Sequence, residues 1–143
     1  MRVAALLAML VMSSCGLLPP PDWVANRQPL PSCGEEVVEQ GASFDVAARE
    51  CILDAVADGH AAELISTQRS VEGDPIISYI RVHANGTVEI FVDARADRFK
   101  SADWTRLRCD RIMPVADANE PPDLVYADDM VFVEDGCEAL PLP

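Results

Sequence analysis

Ile76-Ile77-Ser78-Tyr79-Ile80-Arg81-Val82-His83-Ala84-Asn85-Gly86-Thr87-Val88-Glu89-Ile90-Phe91-Val92-Asp93 reads as two alternating runs joined through Ala84-Asn85-Gly86. Alternation at period two predicts strands over Ile76 to His83 and Thr87 to Asp93, and Asn-Gly between such runs is a strong hairpin signal. Two registers are open to this hairpin. A two-residue loop sets Val82 opposite Glu89 and Arg81 opposite Ile90, mixing polar and apolar residues on both faces. A three-residue loop with Gly86 in the left-handed region pairs Val82 with Val88, Ile80 with Ile90 and Ser78 with Val92, and leaves Arg81 with Glu89 and Tyr79 with Phe91 on the other face. Only the second register gives a consistent core face, so it is the expected one.

Outward from the hairpin, Glu63 to Arg69 is short and polar enough for an edge strand. Thr105 to Cys109 alternates again, with Leu107 and Cys109 on one face and Arg106 and Arg108 on the other. Asp129 to Glu134 carries Met130 and Phe132 on one face, Val131 and Val133 on the other. Upstream, Val46, Ala48, Cys51, Ile52, Ala55 and Val56 recur at helical spacing after Ser43 or Asp45, with Arg49, Glu50, Asp54 and Asp58 opposite and Gly59 as the stop. The expected fold class is therefore α+β, one helix packed on a small antiparallel sheet and stapled by disulfides.

The staples come from Cys33, Cys51, Cys109 and Cys137, which bound a single expected α+β domain over 33–137. Four cysteines allow three pairings. A buried-face helical Cys51 and a helix-facing Cys109 favour Cys51–Cys109 with Cys33–Cys137, joining the two layers and the two ends. The main rival is the sequential set, Cys33–Cys51 and Cys109–Cys137.

Before the domain, Arg2 and ten consecutive apolar residues, Val3 to Met12, precede small residues. This is the tripartite pattern of a secretory signal, and ten residues at about 1.5 Å each cover only half of a roughly 30 Å hydrocarbon core. Met12-Ser13-Ser14-Cys15 resembles a bacterial lipobox, with Met12 standing where Leu is usual. The resemblance implies that 1–14 is a lipoprotein signal peptide and that Cys15 is the lipid attachment site, carrying a thioether diacylglycerol and often an amide-linked acyl chain such as palmitate. The alternative is ordinary secretion with cleavage near Cys15. Cysteine parity bears on the choice, because lipidation of Cys15 turns five cysteines into an even set of four.

Residues 15–32 are expected to form a lipid-anchored tether, since Gly16 to Ser32 holds five prolines and no periodic apolar face. Trp23 within it is expected either to dock on the domain or to sit among lipid headgroups. Residues 138–143, with two further prolines, are expected to fray.

Chemistry-bearing motifs are sparse. The chain carries a net charge of −13, or −14 once Arg2 leaves with the signal, which argues against nucleic acid as a partner. Cysteine spacings of 18, 58 and 28 exclude a C-x-x-C metal or redox motif, and no G-x-S-x-G, S-x-x-K or H-E-x-x-H occurs. His60 and His83 lie where solvated residues are expected. Asp117, Asn119, Glu120 and Asp123 resemble an oxygen-rich loop but lack the Gly and Glu that an EF-hand needs, and Asp128, Asp129, Glu134 and Asp135 make a second acidic group. The stretch Asp93 to Phe99 followed by Asp103 to Arg106 admits two readings. It is either an exposed recognition loop or a structural one, in which Arg95 and Arg98 pair with carboxylates while Phe99 and Trp104 cover the sheet end.

Arg49 to Cys109, with Arg49-Glu50-Cys51-Ile52-Leu53-Asp54-Ala55, Glu72-Gly73-Asp74-Pro75-Ile76 and Asp103-Trp104-Thr105-Arg106-Leu107-Arg108-Cys109, resembles uncharacterised exported lipoproteins of actinobacteria. That resemblance implies no activity. The expectation is an extracytoplasmic lipoprotein anchored to the cell membrane of the envelope, a non-catalytic binding or interaction module facing an envelope or secreted protein, with no catalytic residue, metal or cofactor assigned. The alternatives are an inhibitor of a secreted enzyme, or a small hydrolase that gathers Asp93, Asp97 and a His.

Overall fold

The computed structural model describes residues 19–99, 103–114 and 132–143 of the 143-residue chain. In chain order they form α1 (Asp22–Ala25), β1 (Ser32–Val38), α2 (Val46–Asp58), β2 (Ala62–Arg69), β3 (Pro75–Val82), β4 (Val88–Asp93), β5 (Trp104–Cys109), β6 (Arg111–Pro114), β7 (Phe132–Asp135) and β8 (Glu138–Ala139). Six strands make one sheet in the order β1-β2-β3-β4-β5-β8, and β6 pairs with β7 beside it. The α+β class and a helix on a sheet stand, but the protein is richer in sheet than expected, and it has a second, short helix.

The hairpin keeps the expected register throughout: Val82 faces Val88, Ile80 faces Ile90, Ser78 faces Val92, and on the other side Arg81 faces Glu89 and Tyr79 faces Phe91. Gly86 takes φ +82°, the left-handed conformation that a three-residue loop demands at this position. Binary patterning alone selects this register, because a one-residue slip would turn Val88 and Ile90 to the face opposite Ile80 and Val82 and put Glu89 among the core residues.

The sheet is not wholly antiparallel. β1 runs parallel to β2, from Gly34 opposite Leu64 to Val38 opposite Gln68, with α2 as the connection. β2, expected at the edge, is therefore interior, flanked by β1 and by β3. Its polar residues are accommodated inside the sheet: Glu63 is held by arginines on the open face, while Ala62, Leu64 and Ser66 are buried under the helix.

α2 starts where Asp45 accepts from the Ala48 amide and stops at Gly59, left-handed at φ +66°. A cap of this type stabilises a helix by about 1 kcal/mol. Ala48, Ile52 and Ala55 meet Leu64, Ile80, Val82, Val88, Ile90 and Cys109 in the main core, joined by Ile112 from β6. Two positions depart from the expected helix face. Val46 is exposed, and Arg49 is buried. The cause is β1, which carries Glu36 beneath the first helical turn: its carboxylate accepts from Arg49 Nε at 3.0 Å, Arg49 Nη2 at 2.7 Å and the Asp45 amide at 3.0 Å.

The disulfides follow the sequential pairing, Cys33–Cys51 and Cys109–Cys137, so the favoured Cys51–Cys109 and Cys33–Cys137 links are corrected. Cys33 lies at a register shift in β1, and its Cα stands 5.6 Å from that of Cys51 on the helix. β8 pairs Glu138 with Arg108, which brings Cys137 to the end of β5.

The N-terminal segment expected to form a tether and the C-terminal segment expected to fray both touch the domain. Residues 19–31 lie along the open face of the sheet, whereas 15–18 fall outside the described residues. In the C-terminal segment the Leu140 amide donates to Arg106 O at 2.8 Å, continuing β8 along β5. Of the expected strand over Asp129 to Glu134, residues 129–131 lie outside the described residues, and β7 begins at Phe132. Among the described residues no helix is long and apolar enough to cross a membrane.

Candidate functional site

The helix covers one face of the sheet, so any site must use the other face or the sheet ends. Alternation places Glu63, Tyr79, Arg81, Glu89, Phe91, Asp93, Trp104, Arg106 and Arg108 on that open face. The N-terminal segment crosses it. Val24 of α1 is fully buried against Phe91 and Trp104, and the Trp23 ring stands edge-on to Phe91 at 5.1 Å and to Trp104 at 5.3 Å. Of the two roles weighed for Trp23, the geometry places it on the domain.

Beside this aromatic group runs a ladder of charges. Arg27 forks onto Glu63, with Nη2 2.6 Å from Oε1 and Nε 2.8 Å from Oε2. Arg81 Nε lies 2.8 Å from the same Glu63 Oε2, close enough for an ion pair but poorly aligned for a hydrogen bond. Arg81 also donates to Gln28 O. Glu89 takes Arg106 at 2.7 Å and stands 3.3 Å from His83 Nε2. The hydrogen bond from Arg27 to Glu63 raises the Arg27 pKa above its ordinary value, and burial raises that of the Tyr79 phenol. Alternating charges held by mutual pairing make this face a scaffold for the incoming segment rather than an open cleft.

The candidate acid–base groups are not brought together. Asp93 is clamped by Arg95, whose backbone amide and Nε both donate to Oδ1, at 3.1 and 2.8 Å. Asp97 is buried and accepts from the Phe99 amide at 3.0 Å. His83 follows β3 at the far end from Asp93, about 20 Å away along six residues of strand. His60 is exposed just past the helix stop. Among the described residues no cluster of His, Cys, Asp or Glu has the form of a metal site. Cys15, Asp117, Asn119, Glu120, Asp123, Asp128 and Asp129 lie outside the described residues; Asp135 pairs with Arg111 at 2.6 Å.

The β4–β5 connection takes the structural form in part. Arg95 pairs with Asp93 and Arg98 with Asp74, while Trp104 covers the sheet end; Phe99, expected to cover it too, is 74% exposed. The Arg98 side-chain hydrogen bond holds the Asp74 carboxyl below the ordinary carboxylate value. A carboxylate depressed in the folded state contributes stability at pH above its unfolded value, and that contribution is lost as pH falls through the folded one. Replacing Arg98 with Ala is accordingly expected to raise the Asp74 pKa toward the ordinary value; carboxyl-carbon NMR titration of both proteins checks this, and an unmoved Asp74 would contradict the pairing.

Compared with known proteins, the chain matches no family model, no curated protein and no solved structure. The sequence did signal part of this face, since the hairpin register already set Arg81 against Glu89. The remainder was hidden because Arg27, Trp23 and Val24 come from a proline-rich segment without periodicity.

Proposed function

We propose that the chain is an exported lipoprotein, anchored through Cys15 at the extracytoplasmic side of a membrane, whose domain is a non-catalytic binding module. The observation that carries this reading is the disulfide pattern. Cys33–Cys51 and Cys109–Cys137 consume all four downstream cysteines and leave Cys15, at the lipobox-like position, as the odd one. Disulfides of this kind are compatible with an oxidising compartment. A diacylglyceryl group supplies two chains, enough for stable anchoring where one alone is marginal. The non-catalytic part is supported by the engagement of Asp93 and Asp97 with Arg95 and Phe99 and by the distance of both from His83.

Intact mass of protein extracted from membranes is the direct test. A mature chain starting at a diacylglyceryl-modified Cys15 is expected, together with release of Cys15→Ser protein from the membrane fraction. An unmodified mature chain found only in the medium sinks the anchor. Affinity capture from envelope extracts is expected to return a stoichiometric partner, whereas turnover of an ester, peptide or glycan substrate that Asp93→Asn abolishes would overturn the non-catalytic reading.

A further inference from the structure

Five large apolar side chains stand exposed among the described residues: Val37, Val46, Val71, Phe99 and Leu142. Singly, an exposed Val or Phe needs no explanation. Strand directions, however, gather these five at one end of the sheet. β1 and β2 finish there, at Val38 and Arg69, and β3 starts there at Pro75. β4 finishes there at Asp93 and β5 starts there at Trp104. α2 sets out from the same end at Val46, and β8, antiparallel to β5, carries Leu142 toward it. Val71 occupies the β2–β3 turn and Phe99 the β4–β5 connection. The ion pair from Arg98 to Asp74, at 3.0 Å, ties these two loops to each other.

The N-terminal segment enters at this same end. Arg95, just past β4, donates from Nη2 to Pro19 O at 3.2 Å, and Trp23 packs on Trp104, the first residue of β5. The segment then descends the open face to Pro31 O, which accepts from the Glu63 amide near the opposite end. From Pro19 back to Cys15 is four residues, about 14 Å when fully extended.

We propose that the end of the sheet that carries Val71 and Phe99 rests on the bilayer that holds Cys15, with Phe99 and Val71 entering the headgroup region. This placement rests on the lipoprotein reading above. Four residues of chain hold Pro19 close to the lipid, whereas the far end, with Gly86 and His60, lies a further ~27 Å away along the eight residues of β2. The contact is apolar rather than phosphate-directed. Arg69, Arg95 and Arg98 at this end are engaged by Glu39, Asp93 and Asp74, and the chain's overall negative charge disfavours an anionic surface. Phe99 and Val71 stand beside the exposed carboxylates of Glu39, Glu72 and Asp103, which suit a zwitterionic rather than an anionic interface.

Depth-dependent quenching tests the orientation. Lipidated protein is purified from membranes, its acyl groups are verified by intact mass, and it is reconstituted into vesicles of brominated phosphatidylcholine. Tryptophan reporters are placed singly by Val71→Trp, Phe99→Trp and His60→Trp, with the wild type as baseline for Trp23 and Trp104. Quenching of the added emission at positions 71 and 99 is expected to be at least about twofold greater than at position 60. A verified lipidated protein in which the three reporters are quenched alike, or position 60 most, overturns the orientation while leaving the anchor intact. A protein without acyl groups removes the anchor itself and the orientation with it.

Discussion

Glu36→Ala is expected to destabilise the domain by about 3–5 kcal/mol, the range for breaking a buried ion pair by removing one partner. Both side chains of the Glu36–Arg49 pair are only 2% exposed, and the Arg49 guanidinium also stacks 3.6 Å from the centre of the Phe44 ring. Removing the carboxylate takes away the acceptor of Arg49 Nε and Nη2 inside the protein, and with it the acceptor of the Asp45 amide at the first turn of α2. The pair as a whole is a different matter. Desolvating two charges offsets much of their attraction, so Glu36→Leu combined with Arg49→Met is expected to lose far less than either single change to Ala, and it approaches or exceeds wild-type stability. Urea unfolding of the single and double variants at neutral pH measures this. A Glu36→Ala loss within about 1 kcal/mol of zero would place the pair among ordinary surface contacts.

Reduction of the disulfides is the second large effect. The rings closed by Cys33–Cys51 and Cys109–Cys137 span 18 and 28 residues, each worth roughly 3–3.5 kcal/mol in the chain-entropy account. Together they equal a large part of the 5–15 kcal/mol stability of an ordinary domain. Reduced protein is therefore expected to melt at least about 20 °C lower, or to be unfolded at 37 °C. The two bonds differ in what they hold. Cys109→Ala with Cys137→Ala is expected to free β8, which has only two paired residues, and to speed amide exchange over 138–143 while the main sheet stays protected. Cys33→Ala with Cys51→Ala loosens β1 against α2 instead. Non-reducing peptide mapping checks the connectivity, and a Cys51–Cys109 peptide would refute the sequential pairing.

The hairpin register, the helix with its cap and stop, and the strand at residues 105–109 depend on local patterning, in which each residue's neighbours along the chain already carry the information. The register of β3 and β4 needed only the rule that one face must be apolar throughout. In contrast, Arg49 looked like a solvent-facing helical residue because its partner, Glu36, belongs to a strand that joins the sheet in parallel. Parallel pairing of β1 with β2 requires a crossover through α2, and no short-range signal records it. The same missing strand explains the disulfides: without β1 beside the helix, Cys51 had no reason to prefer Cys33.

The N-terminal segment shows the second limit. Prolines at 19, 20, 21, 29 and 31 make an extended path natural, but an extended path is free to lie on a surface as well as to leave it. What decides is whether a matching surface exists. Phe91, Tyr79 and Trp104 reach one patch from three separate strands, and only the assembled sheet presents them to Trp23 and Val24.

By itself, then, the sequence determined the α+β class, the hairpin, the bounds of α2 and the acidic balance, together with the expectation of an export signal over 1–14 that leaves Cys15 for lipid attachment, because periodicity, caps and composition are read over short windows. Tertiary structure alone decided which cysteine meets which, that Arg49 and Glu36 share a buried site, that residues 19–31 lie against the sheet, and that Val71 and Phe99 share the end where the chain enters. Each of those depends on contacts between residues distant in sequence, whose geometry exists only once the sheet has assembled.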